Sequence, residues 1–386
     1  MQDLPHKLVV KLKNRVTENT FRALGNLGDG VDFSSNDYLG FATNQTIYQK
    51  ALALLEEHKL KENGAKGSRL LTGNHHLYGL VEHQLKAYYE AESALIFNSG
   101  YSANHGFFSA IPQRDDVVFY DALIHASIRD GINSGSANSI KFTHNNLADL
   151  KARLQRLKSN ENRVVYVVTE SVFSMDGDSP DLLAFAQFCQ QNNCKLIVDE
   201  AHAIGVFGAG LVVQQGLQQS VFARIITFGK ALGCHGAAVL GSAELNHFLV
   251  NFCRPFIYTT ALAPHAIATI YAAHEHIKNS NGSNHKISSL ENLAMLISTF
   301  QQQVKTISAF QYIPSHSAIQ CIVIPGVVKV KALALYLQQL GFQVKPILAP
   351  TVPEGQERLR FCLHSYNTVS EIEEALQLVQ TFNEKI

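Results

Sequence analysis

The sequence predicts an α/β protein with a large, mostly parallel sheet covered by helices on both faces, followed by a small C-terminal α+β domain. Three observations predict it. From Ala94 to Gly241, short apolar runs alternate with helical stretches, the pattern of strands buried on both faces and joined by crossover helices. The 386 residues, 46% of them hydrophobic, suffice for a large core and more than one domain. A polar, turn-rich stretch, Asn279-Ser280-Asn281-Gly282-Ser283-Asn284, then separates this region from a shorter set of elements. The expected organisation is an N-terminal segment over 1–45, a large domain over 46–280 and a C-terminal domain over 281–386.

Each element has its own warrant. Residues 1–30 read as a helix with Lys and Arg on its polar face, then the glycine-rich turn Gly25-Asn26-Leu27-Gly28-Asp29-Gly30. Ile47, Ala51, Leu54, Leu55 and Leu60 keep helical spacing, so Ile47–Leu60 is an amphipathic helix. The strands of the large sheet are the runs Ala94–Phe97, Val117–Tyr120, Val164–Thr169, Leu196–Asp199, Ile225–Phe228 and Ala237–Leu240. Beyond the polar stretch come a helix at Leu290–Thr306, a strand near Ile319–Ile324, a helix at Lys331–Leu340, strands near Gln343–Leu348 and Arg358–Leu363, and a last helix at Ser370–Phe382. There is no internal repeat and no low-complexity tract.

Composition excludes several classes. A formal net charge of zero argues against a nucleic-acid footprint or a polybasic membrane contact. The six cysteines form no Cys-x-x-Cys pair, so neither a zinc ribbon nor a redox motif is indicated. The 17 histidines are dispersed, and His75-His76 and His274-Glu275-His276 miss common ligand spacings, so no metal is expected. Met1-Gln2-Asp3-Leu4-Pro5-His6 lacks the regions of a signal peptide, and no apolar run reaches a membrane-spanning length. A soluble cytoplasmic protein is the expectation.

Chemistry concentrates at two strand ends. The run Lys195–Val198 delivers Asp199 to the carboxyl end of a strand, where open α/β sheets bind ligands. The run Arg224–Phe228 delivers Thr227 and Lys230 to what reads as the same edge. A lysine that can form a Schiff base and a carboxylate that can keep a pyridine nitrogen protonated are the two fixtures pyridoxal 5'-phosphate (PLP) needs. Asp199-Glu200-Ala201-His202 also matches the Walker B box of some helicases. That reading needs a GxxxxGK[ST] loop, and no Gly-Lys here is followed by Ser or Thr. The glycines at 25–30 likewise miss the dinucleotide fingerprint.

Further segments occur in register: Ser34-Ser35-Asn36-Asp37-Tyr38-Leu39-Gly40, Gly67-Ser68-Arg69-Leu70, Asn98-Ser99-Gly100-Tyr101-Ser102-Ala103-Asn104, Asp121-Ala122-Leu123-Ile124-His125-Ala126-Ser127, Glu170-Ser171-Val172-Phe173-Ser174-Met175-Asp176-Gly177-Asp178, Thr227-Phe228-Gly229-Lys230 and Arg358-Leu359-Arg360. With Asp199–His202 they resemble the α-oxoamine synthases, PLP enzymes of fold type I that condense an amino acid with an acyl thioester and release carbon dioxide. The resemblance spans about Arg22 to Asn367. It implies that Lys230 holds the cofactor and moves the α-proton, so a depressed pKa is expected of it. It implies that Asp199 pairs with the ring nitrogen, that His202 and Ser174 contact the phenolic oxygen, and that His125 stacks on the ring and assists the acyl step. Gly100, Tyr101 and Thr227 correspond to phosphate contacts, as do Thr259 and Thr260, which family members supply from the partner subunit of a homodimer. Arg360 corresponds to the clamp for the amino-acid carboxylate, assisted by Asn36, and Arg22 and Thr351 to residues near the acyl substrate. Tyr38, Met175 and Phe228 read as core packing.

Within the family, Phe256-Ile257-Tyr258-Thr259-Thr260-Ala261 and Pro350-Thr351-Val352-Pro353-Glu354-Gly355 look most like the biotin-pathway branch, which joins alanine to a pimeloyl thioester. Leu70 stands where succinyl-using relatives show a polar residue. The glycine C-acetyltransferases are the alternative branch. A silent assembly subunit with this fold would lack the Schiff-base lysine, which this chain keeps as Lys230.

Overall fold

The computed structural model describes every residue except 1–2, 26–27, 159, 161, 281–287, 308–309 and 385–386. The chain divides into two compact units. The larger holds Asn36–Ser174 and Asp178–Ala294, and the smaller holds Met1–Ser35, Met175–Gly177 and Met295–Ile386.

In chain order, β1 (Val31–Asp32) belongs to the smaller unit. The strands of the larger are β2 (Ser93–Phe97), β3 (Val117–Asp121), β4 (Asn138–Phe142), β5 (Val165–Glu170), β6 (Lys195–Asp199), β7 (Ala223–Thr227) and β8 (Ala237–Gly241). They form one sheet in the order β2-β8-β7-β6-β5-β3-β4. β8 is antiparallel to both neighbours, and every other pair is parallel. The six expected runs are six of these strands. Val118, Val167, Val168, Ile197, Val198, Ile226 and Ala238 are fully buried, and each large apolar side chain so buried contributes about 1.5–3 kcal/mol.

β4 is the strand that apolar runs do not reveal. Among the described residues it pairs only with β3 at the sheet edge, and of Asn138-Ser139-Ile140-Lys141-Phe142 only Phe142 is buried. An edge strand open to solvent needs no continuous apolar run, and a lysine there discourages further pairing.

The topology gathers strand ends. Asp121, Glu170, Asp199 and Thr227 are the last residues of β3, β5, β6 and β7, so all four stand at the carboxyl edge of the parallel strands. Glu170 and Asp199 are register partners. β2 ends at the same edge, and after it Ser99 accepts a hydrogen bond from the Ser102 N–H, starting the helix Gly100–Ala110 there.

The smaller unit completes the strands: β9 (Gln311–Ile313), β10 (Ile319–Val323), β11 (Phe342–Gln343), β12 (Lys345–Ile347) and β13 (Arg358–Cys362). Four of them form an antiparallel sheet in the order β12-β13-β10-β9, and β11 pairs in parallel with β1. The excursion Met175–Gly177 is held within this unit. Asp176 pairs with the buried Arg358, and the hydroxyls of Ser315 and Ser317 donate to the Gly177 carbonyl. The expected helices are present as His6–Thr17, Ser289–Val304, Val327–Gln339 and Val369–Glu384. Asn279 and Ser280 end the helix Pro264–Ser280, whereas Asn281–Asn284, like Asn26 and Leu27, lie outside the described residues. No helix among the described residues is long and apolar enough to cross a membrane.

Candidate active site

A cavity of about 180 Å³ opens in the larger unit at the carboxyl edge of its sheet. Asp199 lines it and is 4% exposed. Its Oδ1 accepts from the Ala201 N–H at 2.9 Å and its Oδ2 from Asn104 Nδ2 at 2.7 Å. Asn104 Nδ2 also donates to Ser127 Oγ at 3.1 Å, and Ser127 Oγ stands 2.7 Å from His125 Nδ1. Because the Ser127 main-chain N–H also points at Nδ1, at 3.2 Å, that nitrogen accepts. The neutral imidazole consistent with this network carries its proton on Nε2. Burial lowers the His125 pKa; Asp199 opposes this, and Lys230 and Arg129 reinforce it.

A second chain of contacts carries Lys230. Its Nζ lies 2.6 Å from His202 Nε2, and His202 Nδ1 lies 2.8 Å from the Tyr38 hydroxyl. Tyr38 donates that hydroxyl to Asn36 Oδ1 at 3.2 Å. The directions follow: His202 Nδ1–H donates to Tyr38, and Nε2 is left to accept from Lys230. Tyr38 is fully buried, as core packing requires, and also orients His202. The turn that bears Lys230 is closed by the Gly233 N–H donating to the Lys230 carbonyl. Gly233 has φ +60°, and a Cβ there would stand 2.2 Å from the Ala42 nitrogen, so only glycine fits.

Gly100 and Tyr101 line the cavity at the first turn of the helix Gly100–Ala110, where the backbone dipole and unpaired N–H groups favour an anion. A Cβ built on Gly100 would sit 3.6 Å from Thr227 Oγ1, so the threonine adjoins this turn. Thr227 donates its hydroxyl to the Gly236 carbonyl at 3.2 Å. The cavity therefore has an amine in Lys230, an anion-binding helix start, and a buried carboxylate, Asp199, whose hydrogen bonds come from neutral N–H groups. A phosphate, an aldehyde and a protonated ring nitrogen, the three handles of PLP, fit these features.

The family model for aminotransferase class I and II matches residues 28–379. An 8-amino-7-oxononanoate synthase from Emericella nidulans is 38% identical over 378 residues, covering 92% of this chain and 90% of that protein. The chain belongs to the aminotransferase class I and II family, among its α-oxoamine synthases. Solved structures agree. A variant serine palmitoyltransferase from S. paucimobilis with a bound PLP–myriocin aldimine has a TM-score of 0.88 at 25% identity, covering 100% of this chain and 99% of that one. An 8-amino-7-oxononanoate synthase from Francisella tularensis has a TM-score of 0.76 at 25% identity, covering 92% and 98%.

In this α-oxoamine synthase the cavity gathers Gly100, Tyr101, His125, Asp199, His202, Thr227 and Lys230 from the residues expected. Asn36 does not line it and is joined to the lining residue His202 by Tyr38. Ser174 is half-buried in the turn after β5 and is not among the lining residues. Thr259 and Thr260 follow the short helix Arg254–Ile257 and do not line it either. The Thr260 carbonyl accepts from Asn98 Nδ2 at 2.6 Å. Arg22, Thr351 and Arg360 belong to the smaller unit. Arg22 donates to Thr351 Oγ1 at 3.4 Å, and Arg360, buried on β13, donates to Cys362 Sγ. Asn104, Ser127 and Glu170, which the sequence showed only as parts of motifs and without a role, also line the cavity. Asn104 had a readable signal: it lies one helical turn after Gly100, on the same face.

Proposed function

We propose that this α-oxoamine synthase binds PLP and joins L-alanine to a pimeloyl thioester, carried by CoA or a carrier protein, with release of carbon dioxide. The product is 8-amino-7-oxononanoate, as the names of its relatives suggest, and the reaction is a step of biotin biosynthesis. The observation that carries the reading is Lys230 hydrogen-bonded to His202 in the cavity that Asp199 and His125 also line. PLP, when bound, supplies an electron sink for the α-carbon.

The residues would divide the work. Lys230 holds the aldehyde and Asp199 the ring-nitrogen proton. His125 stacks on the ring, His202 and Ser174 meet the phenolic oxygen, and Gly100, Tyr101 and Thr227 hold the phosphate. Thr259 and Thr260 reach that phosphate from the second copy in a cytoplasmic homodimer. Arg360 and Asn36 take the amino-acid carboxylate, and Arg22 and Thr351 the acyl substrate. His202 Nε2, an acceptor fixed by Tyr38, is placed to hold a proton from the Lys230 ammonium and leave the amine neutral for proton transfer. His125 Nε2–H is a neutral donor for an oxygen that gains charge.

Turnover over a panel of alanine or glycine with pimeloyl or acetyl thioesters tests this. Alanine with pimeloyl thioester should have the highest kcat/KM, with each methylene buried in the acyl channel adding about 0.8 kcal/mol. Glycine with acetyl-CoA as the best pair would overturn the branch.

A further inference from the structure

Glu170 has no part in the roles above, yet it lines the same cavity. It ends β5, is 3% exposed, and is the register partner of Asp199 on β6. Register partners on parallel strands present their side chains to one face of a sheet, so two carboxyl groups share one wall of the site. Glu170 Oε1 accepts from the main-chain N–H of His125 at 2.5 Å.

We propose that Glu170 is a positioning residue for the reaction: its carboxyl group pins the main chain of His125 and so fixes where the imidazole stands in the cavity. His125 is then held at two points, by Glu170 at its backbone nitrogen and by Ser127 at Nδ1. Only the placing of His125 in the reacting site is taken from the function proposed above.

Glu170 does this as an uncharged acid. The charged and polar groups facing it are Asp199 from β6, Lys230 from beyond β7, the His125 N–H and Asp121 from the end of β3. Two adjacent buried carboxyl groups do not both ionise readily. Among the described residues Asp199 has donors on both oxygens, whereas Glu170 has the single His125 N–H, so the charge rests on Asp199 and the proton on Glu170. Burial first, and then the charge of Asp199, push the Glu170 pKa well above the ordinary carboxyl value, against the pull of Lys230. A protonated carboxyl still offers a carbonyl oxygen to the His125 N–H.

Two variants of the PLP-loaded enzyme test this. Glu170→Gln keeps a carbonyl acceptor without charge. Its kcat should stay within about threefold of the parent, while Glu170→Ala should lose about 10- to 100-fold in kcat with a smaller change in the amino-acid KM, as for lost orientation. The second readout is thermal unfolding against pH, which needs no substrate. A carboxyl whose folded pKa is raised gives its full stability below the unfolded pKa and loses it as pH rises towards the folded value. The Tm of Glu170→Gln minus that of the parent should therefore grow as pH rises above the ordinary carboxyl value. The proposal is overturned by a flat difference, by a Gln variant as impaired as the Ala variant, or by an Ala variant with parental kcat. A Glu170→Ala chain that fails to fold leaves the Gln variant's kcat and Tm difference to decide. If the acyl assignment fails instead, the Tm measurement still reports on Glu170 alone.

Discussion

At the scale of single residues, the site is a set of polar groups whose partners define their protonation. Asp199 is buried but not isolated, because Asn104 and the Ala201 N–H stabilise its charge. Asn104 in turn reaches His125 through Ser127, so Asp199 and His125 share one polar chain. Asp199→Asn should leave that chain nearly isosteric while removing the charge proposed above to keep the ring nitrogen protonated. Exchange of the alanine α-proton into deuterium oxide, followed by NMR, should slow by at least about 100-fold, with alanine binding changed far less. An unchanged exchange rate would remove Asp199 from its assigned role.

At the scale of elements, the loops that bear the site are anchored to the strand ends by charge. His144 lies between Asp121, at the end of β3, and Asp178, beyond β5, at 2.8 and 2.9 Å. Burial alone would lower its pKa, but hydrogen bonds to both aspartates outweigh that and raise it to about 9. The sign follows from linkage. A histidine with a raised folded pKa gives its full stability below its unfolded value, near 6.5, and loses it as pH rises through about 9. The Tm of the protein minus that of His144→Gln should therefore shrink between pH 6.5 and pH 9. A difference constant over that window would mean that the ion pairs do not hold the loop. The glycine turn at Gly233 does the same work for Lys230 by shape: it lets the backbone close against Ala42.

At the scale of the whole molecule, Thr259 and Thr260 lie outside the cavity of their own chain. In the homodimer proposed above, the second copy supplies them to the site. Sedimentation of the PLP-bound protein should give about twice the 42.6 kDa chain mass, and dilution to monomer should abolish turnover together with the dimer signal. Full turnover by a monomer would exclude shared sites.

Much of this protein was legible as sequence, because much of it is local. A strand buried on both faces must be an apolar run, so six of the seven strands of the large sheet stood out. A lysine and a carboxylate at the ends of two such strands carry their chemistry in their own side chains, so Lys230 and Asp199 could be named at once. The rest depended on which segments meet. β4 earned no apolar run because its outer edge faces solvent. Asn104, Ser127 and Glu170 are ordinary polar residues until a helix start, a loop and the β5–β6 register set them around His125. Tyr38 is core by its burial and a partner of His202 by its hydroxyl, and only the packed chain joins the two. Hydrophobic period and residue type are properties of neighbours in sequence, whereas hydrogen-bond partners and the sharing of a proton between two carboxyl groups are properties of neighbours in space.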